Sequence, residues 1–134
     1  MPNKTKELNL EKEIILLGFI PDDLVTTYYS AADVSVYPYT IQMSSSGPMA
    51  IAIGHEKPFL ASIVFNSFIE NNEILFERDK LSLENSLDRF FKNKEAFIQY
   101  VIKMKGERSY KSVGRQTYNL YMQSTRGAKR TQTL

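Results

Sequence analysis

An open parallel α/β sheet with flanking helices, running into a helical tail, is the fold class this sequence predicts. Three observations carry that expectation. Short apolar runs alternate with stretches of helical spacing between residues 14 and 76. Gly18, Pro21, Pro38, Pro48 and Pro58 punctuate the junctions. Beyond residue 82 only helical spacing remains. Strand–helix–strand alternation is the pattern of a parallel sheet with right-handed crossovers.

The elements follow in order. Ile14-Ile15-Leu16-Leu17, closed by Gly18, is too short for a helix and rich in β-branched residues, so it reads as a strand buried on both faces. Pro21-Asp22-Asp23 is a helix start, because proline presets φ and acids complement the amino end of the dipole. Leu24, Val25, Tyr28 and Ala32 continue it at helical spacing. Val34 to Tyr37 is a second strand, stopped by Pro38. After a loop, Ser44-Ser45-Ser46-Gly47-Pro48 opens a short helix over Met49 to Ile53, with serine as cap and proline in the first turn. Phe59 to Ile63 is a third strand and Ile74 to Phe76 a short fourth. Leu83, Leu87, Phe90 and Phe91, then Phe97, Tyr100, Val101 and Met104, mark two helices. Val113, Thr117, Leu120 and Tyr121 mark a last one.

The organisation is a lead-in over 1–13, a single domain over 14–124 and a basic tail over 125–134. The 134 residues include 43% hydrophobic ones, enough for a core. The absence of cysteine excludes a disulfide framework and a thiol nucleophile. A single histidine, His55, excludes a histidine metal cage. The net charge of +2 rests on Arg126, Lys129 and Arg130 in the tail, which argues against a nucleic-acid face. The polar start lacks the apolar core of a secretory signal, and no apolar stretch approaches the ~20 residues of a membrane span. A cytoplasmic location is the expectation.

Ligands of open parallel sheets bind beyond the carboxyl ends of the strands. Those ends are Gly18–Pro21, Pro38–Met43 and Ser62–Phe65. Ser44, Ser45, Ser46, Gly47 and Met49 stand where such an end meets a helix start. Backbone N–H groups and the helix dipole favour an anion there, and small residues allow close approach. Taken by themselves the same residues read as an ordinary serine cap. No P-loop lysine follows.

The segment Ser46 to Ser62, with Ser46-Gly47, an apolar helix and Lys57-Pro58 in register, resembles the donor-binding segment of glycosyltransferase family 4, the retaining GT-B enzymes. Other pieces agree in order. Leu17-Gly18-Phe19-Ile20-Pro21 resembles the family's segment of strand, glycine and hydrophobic residue. The stretch from Tyr28 through Ala31-Ala32-Asp33-Val34 to Tyr39 resembles its Ala-Asp-Val strand. Asn71-Asn72-Glu73-Ile74-Leu75-Phe76 resembles its Asn-Gly-Ile-Leu-Phe turn, and Ser109 to Tyr121 its closing helix. The resemblance spans residues 14 to 122.

It implies a partial, Rossmann-like GT-B carboxyl-terminal domain that binds a nucleotide-diphosphate sugar. The donor phosphates would lie on Ser44, Ser45, Ser46, Gly47 and Met49. The base would lie against Gly18, Phe19 and Ile20, and Glu70 is a candidate contact to the donor sugar. No metal and no cofactor are implied. The departures are specific. The family's paired glutamates fall on Met43 and Ile51, and the glycine before Lys-Pro is Glu56. Two strands and the diphosphate-neutralising Arg and Lys would precede residue 14. The expectation is therefore a truncated copy or half of a bipartite enzyme, inactive alone, with a bare sheet edge near Ile14–Leu17 for a partner chain or self-association. A non-catalytic or degenerate α/β module used for protein contacts is the alternative. His55 and Glu56 read as a turn residue and a solvated charge, Tyr28 and Tyr37 as packing residues.

Overall fold

The computed structural model describes residues 4–41 and 45–128. The elements are α1 (Lys4–Glu7), α2 (Asp22–Ala31), β1 (Ser35–Tyr37), α3 (Gly47–Gly54), β2 (Phe59–Ser62), a 3-10 turn (Ile63–Phe65), β3 (Leu75–Phe76), α4 (Lys80–Lys92), α5 (Lys94–Glu107) and α6 (Tyr110–Ala128). The three strands form one parallel sheet in the order β1-β2-β3. Ser35 stands opposite Phe59 and Tyr37 opposite Ala61. On the other side Ala61 faces Leu75 and Ser62 faces Phe76. The mixed α/β class and the helical tail are therefore as the periodicity predicts.

β2 is the middle strand, and all four of its residues are buried. This is what a Phe-Leu-Ala-Ser run is suited to, since a central parallel strand meets packing on both faces. Met49, Ala52 and Ile53 of α3 close one part of the core, and Phe90, Phe97, Val101 and Met104 of α4 and α5 close another. The rings of Phe90 and Phe97 meet edge to face at 5.5 Å. Asp79 caps α4 by accepting the Ser82 N–H at 2.8 Å. No helix among the described residues is long and apolar enough to cross a membrane.

The structure departs from the expectation at the front. Ile14–Leu17 is not a strand. The run is exposed, with Ile15 at 76% and Leu16 at 81%. An apolar, β-branched run supplies the side chains of a buried strand, but a strand exists only beside a hydrogen-bonding neighbour. Among the described residues the sheet offers this run none, and β1 is its first strand. Among the described residues the sheet edges are thus β1 and β3, not Ile14–Leu17. The link from β2 to β3 is also a 3-10 turn and loop instead of a crossover helix. α6 runs on to Ala128, into the segment read as tail, whose residues 129–134 lie outside the described residues together with residues 1–3 of the lead-in.

Candidate functional site at the amino end of the third helix

α3 begins where the chain returns from the carboxyl end of β1. Ser46 is extended (φ −134°, ψ 112°), and its Oγ accepts the Met49 N–H at 3.3 Å. The same oxygen lies 3.1 Å from the Tyr39 hydroxyl. Ser46 is therefore a working helix cap tied to the strand end. Pro48 occupies the first turn, where its missing N–H costs nothing. The Tyr29 and Tyr37 hydroxyls both donate to the Pro48 carbonyl, at 2.9 and 3.0 Å, and lie 3.3 Å apart. Ser62, at the end of β2, donates its hydroxyl to the Tyr39 carbonyl at 2.8 Å. Two strand ends and α2 thus hold the helix start in place.

Burial raises the Tyr37 phenol well above its ordinary pKa, and the hydroxyl contact with Tyr29 adds to the rise. Tyr37 is a packing residue, as its sequence position suggests. Its ring leans on Phe59, 5.9 Å away.

A cavity of about 630 Å³ opens beside α3, a size suited to a small-molecule ligand. Ser45, Ser46 and Met49 line it, with Phe65 and Phe68 on a facing wall. Lys105 and Arg108, from the end of α5, also line it. Arg108 donates through Nη2 to the Phe68 carbonyl at 2.5 Å, and Lys105 Nζ lies 2.7 Å from Glu56 Oε1. Sequence reasoning missed both cations at this site. Basic residues in the last turn of a helix complement its dipole, so nothing in their local pattern points to the distant Ser45–Met49 stretch.

The other predicted residues are distributed as follows. Gly47 is exposed, and a Cβ added there meets nothing within 4 Å. The Met49 N–H serves the Ser46 cap, and Pro48 has none, so the remaining donors of the stretch are those of residues 45–47. Ser44, like Met43, lies outside the described residues. Gly18 is left-handed (φ 66°), a conformation that favours glycine. Phe19 is 89% exposed and Ile20 half-buried. None of these three lines the cavity, and neither does exposed Glu70. Of the phosphate candidates, Ser45, Ser46 and Met49 line the cavity and Gly47 does not, and none of the base and sugar candidates lines it. Ile51 is partly exposed on α3, and His55 stacks on Tyr29 with ring centroids 6.0 Å apart.

Glu56 has φ 55°. Its N–H meets the Ile53 carbonyl at 3.0 Å, and the Lys57 N–H meets that of Ala52 at 2.9 Å. This is a Schellman ending whose left-handed position holds glutamate where glycine is usual. Among the described residues no cluster of histidine and carboxylate side chains could hold a metal ion. Compared with protein-family models, curated proteins and solved structures, the chain matches none of them.

Proposed function

We propose that this domain is the nucleotide-sugar-binding part of a glycosyltransferase, binding a nucleotide-diphosphate sugar and transferring nothing by itself. The observation that supports it best is the start of α3. Backbone donors of residues 45–47 stand at the carboxyl edge of a parallel sheet, next to a cavity whose wall carries Lys105 and Arg108. Amino ends of helices favour phosphate for the reasons of dipole and open N–H groups. The resemblance to glycosyltransferase family 4 over residues 14 to 122 turns that general preference into a nucleotide diphosphate. Catalysis of this kind is positioning plus stabilisation of the departing diphosphate, and no side chain is assigned a catalytic role.

A second reading, a non-catalytic α/β module for protein contacts, draws on a different observation. Ile15, Leu16 and Phe19 are exposed on one short segment, and the β1 edge lacks a neighbour among the described residues. A partner chain or a second copy covering them is compatible with either reading.

The test is titration of uridine, guanosine and adenosine diphosphates by NMR against wild type and Gly47→Val. The open space at Gly47 means that valine blocks a ligand without displacing the protein. Millimolar binding with shifts centred on residues 45–49, lost in the variant, is expected. Shifts centred elsewhere, or equal in both proteins, exclude the nucleotide reading.

A further inference from the structure

We propose that the cavity beside α3 is the base pocket of a bound nucleotide, with the base stacked on the rings of Phe68 and Tyr110. The pocket rests on the nucleotide reading above, and it moves the base away from Gly18, Phe19 and Ile20.

The lining is mostly apolar, with Met49, Ala50 and Ile53 of α3 on one wall and Phe65 and Phe68 on the facing one. Phe65 is buried, but Phe68 is 40% and Tyr110 99% exposed. Two aromatic rings thus border one cavity with much of their surface uncovered. Both stand on fixed backbone. The Phe68 N–H donates to the Phe65 carbonyl at 2.9 Å, and the Phe68 carbonyl accepts from Arg108. Tyr110 is the first residue of α6, and Ser109 caps that helix by accepting the Ser112 N–H at 3.2 Å. A platform set in advance gives up less freedom when a ligand covers it.

The lining also selects the chemistry of the ligand. Inorganic phosphate would use Lys105 and Arg108 and leave the rings idle. A fatty acid would use the cations, but its flexible chain gains only area from a flat ring. A planar aromatic group carrying an anion uses both, by stacking and by charge-assisted bonds. A nucleoside diphosphate is such a molecule. Its base and phosphates are one ribose apart, and Ser45 and Ser46 border the same cavity as the two rings. Phe19, by contrast, is 89% exposed and lies outside that lining. Of the two cations, Lys105 is partly neutralised by Glu56, whereas the Phe68 carbonyl takes a single N–H of an Arg108 guanidinium that has several.

The serine hydroxyls of the lining are engaged elsewhere. Those of Ser46 and Ser109 cap helices, and Ser109 also donates to the Gly106 carbonyl at 2.9 Å. The pocket therefore grips the flat face of a base and reads little of its edge. Stacking of this kind tolerates every base.

The test titrates uridine diphosphate, adenosine diphosphate and inorganic pyrophosphate by NMR against the full chain, Tyr110→Ala, Phe68→Leu and Phe19→Ala. Tyr110 is so exposed that its loss spares the fold, Phe68→Leu keeps apolar bulk, and circular dichroism checks both. The two nucleotides should bind within about fivefold of each other, with NOEs from base protons to the rings of Phe68 and Tyr110. Each ring variant should weaken both nucleotides about fivefold or more and leave pyrophosphate unchanged. Phe19→Ala should change none of the three. Base NOEs to Phe19, or equal loss of nucleotide and pyrophosphate in the ring variants, overturns the base pocket and leaves the nucleotide reading standing. Tighter binding of decanoate than of either nucleotide in the cavity also overturns it, in favour of an acyl ligand. If neither nucleotide shifts residues 45–49, the nucleotide reading itself falls and the base pocket with it.

Discussion

The ammonium of Lys57 rests on the carbonyl of Ala32, 2.5 Å away, with the Ser30 carbonyl at 3.3 Å. A residue that the sequence sets beside Pro58, just before β2, thereby closes the carboxyl end of α2. The last carbonyls of a helix lack intrahelical partners, and a cation there satisfies them and suits the dipole. Lys57→Met should lower stability by about 1 kcal/mol, because the charge-assisted bond is only partly shielded from water. Urea denaturation of both proteins checks this. An unchanged midpoint would mean that water replaces the ammonium without loss.

Glu56 holds a left-handed conformation at the end of α3. Glutamate pays there for a crowded Cβ, and glycine does not. The Lys105 pair at 2.7 Å is half-exposed on both sides and offsets little of this. Glu56→Gly should therefore stabilise the domain by about 0.5–1 kcal/mol. Glu56→Ala, which keeps the Cβ and loses the ion pair, should not. Thermal melts of the three proteins separate conformational strain from charge.

Tyr37 titrates late because its phenol is buried and hydrogen-bonded. A phenol that keeps its proton in the folded state above its ordinary value of 10.0 binds more protons folded than unfolded. Its contribution is full below pH 10 and is lost as pH rises from there through the raised folded value. Tyr37→Phe should cost about 1 kcal/mol at neutral pH through the lost bond to Pro48. The gap between the two proteins should then narrow above pH 10. Denaturant midpoints from pH 8 to 11 show it, and a gap that widens would contradict the assigned shift.

Ile15 and Leu16 contribute apolar surface without burial. Replacing both with lysine should leave unfolding free energy within about 0.5 kcal/mol, as for other surface positions. The same change should reduce self-association at high concentration, read by sedimentation velocity. A large loss of stability would instead show that the run is covered in solution.

The sequence by itself determined the local events. Alternating apolar runs and punctuation by Gly and Pro fixed the α/β class, because periodicity and backbone restriction act within a few residues. The start of α3 was equally legible, since Ser46 and Pro48 act on their own turn. What only the tertiary structure decided involves neighbours distant in the chain. Ile14–Leu17 has a strand's side chains, yet strand formation needs a second backbone, and that cannot be read from four residues. The meeting of Lys105 and Arg108 with Ser45, Ser46 and Met49 depends on where α5 ends relative to α3. The same holds for Lys57, whose partners lie on α2: a cation's sequence neighbours do not reveal which carbonyl it will cap.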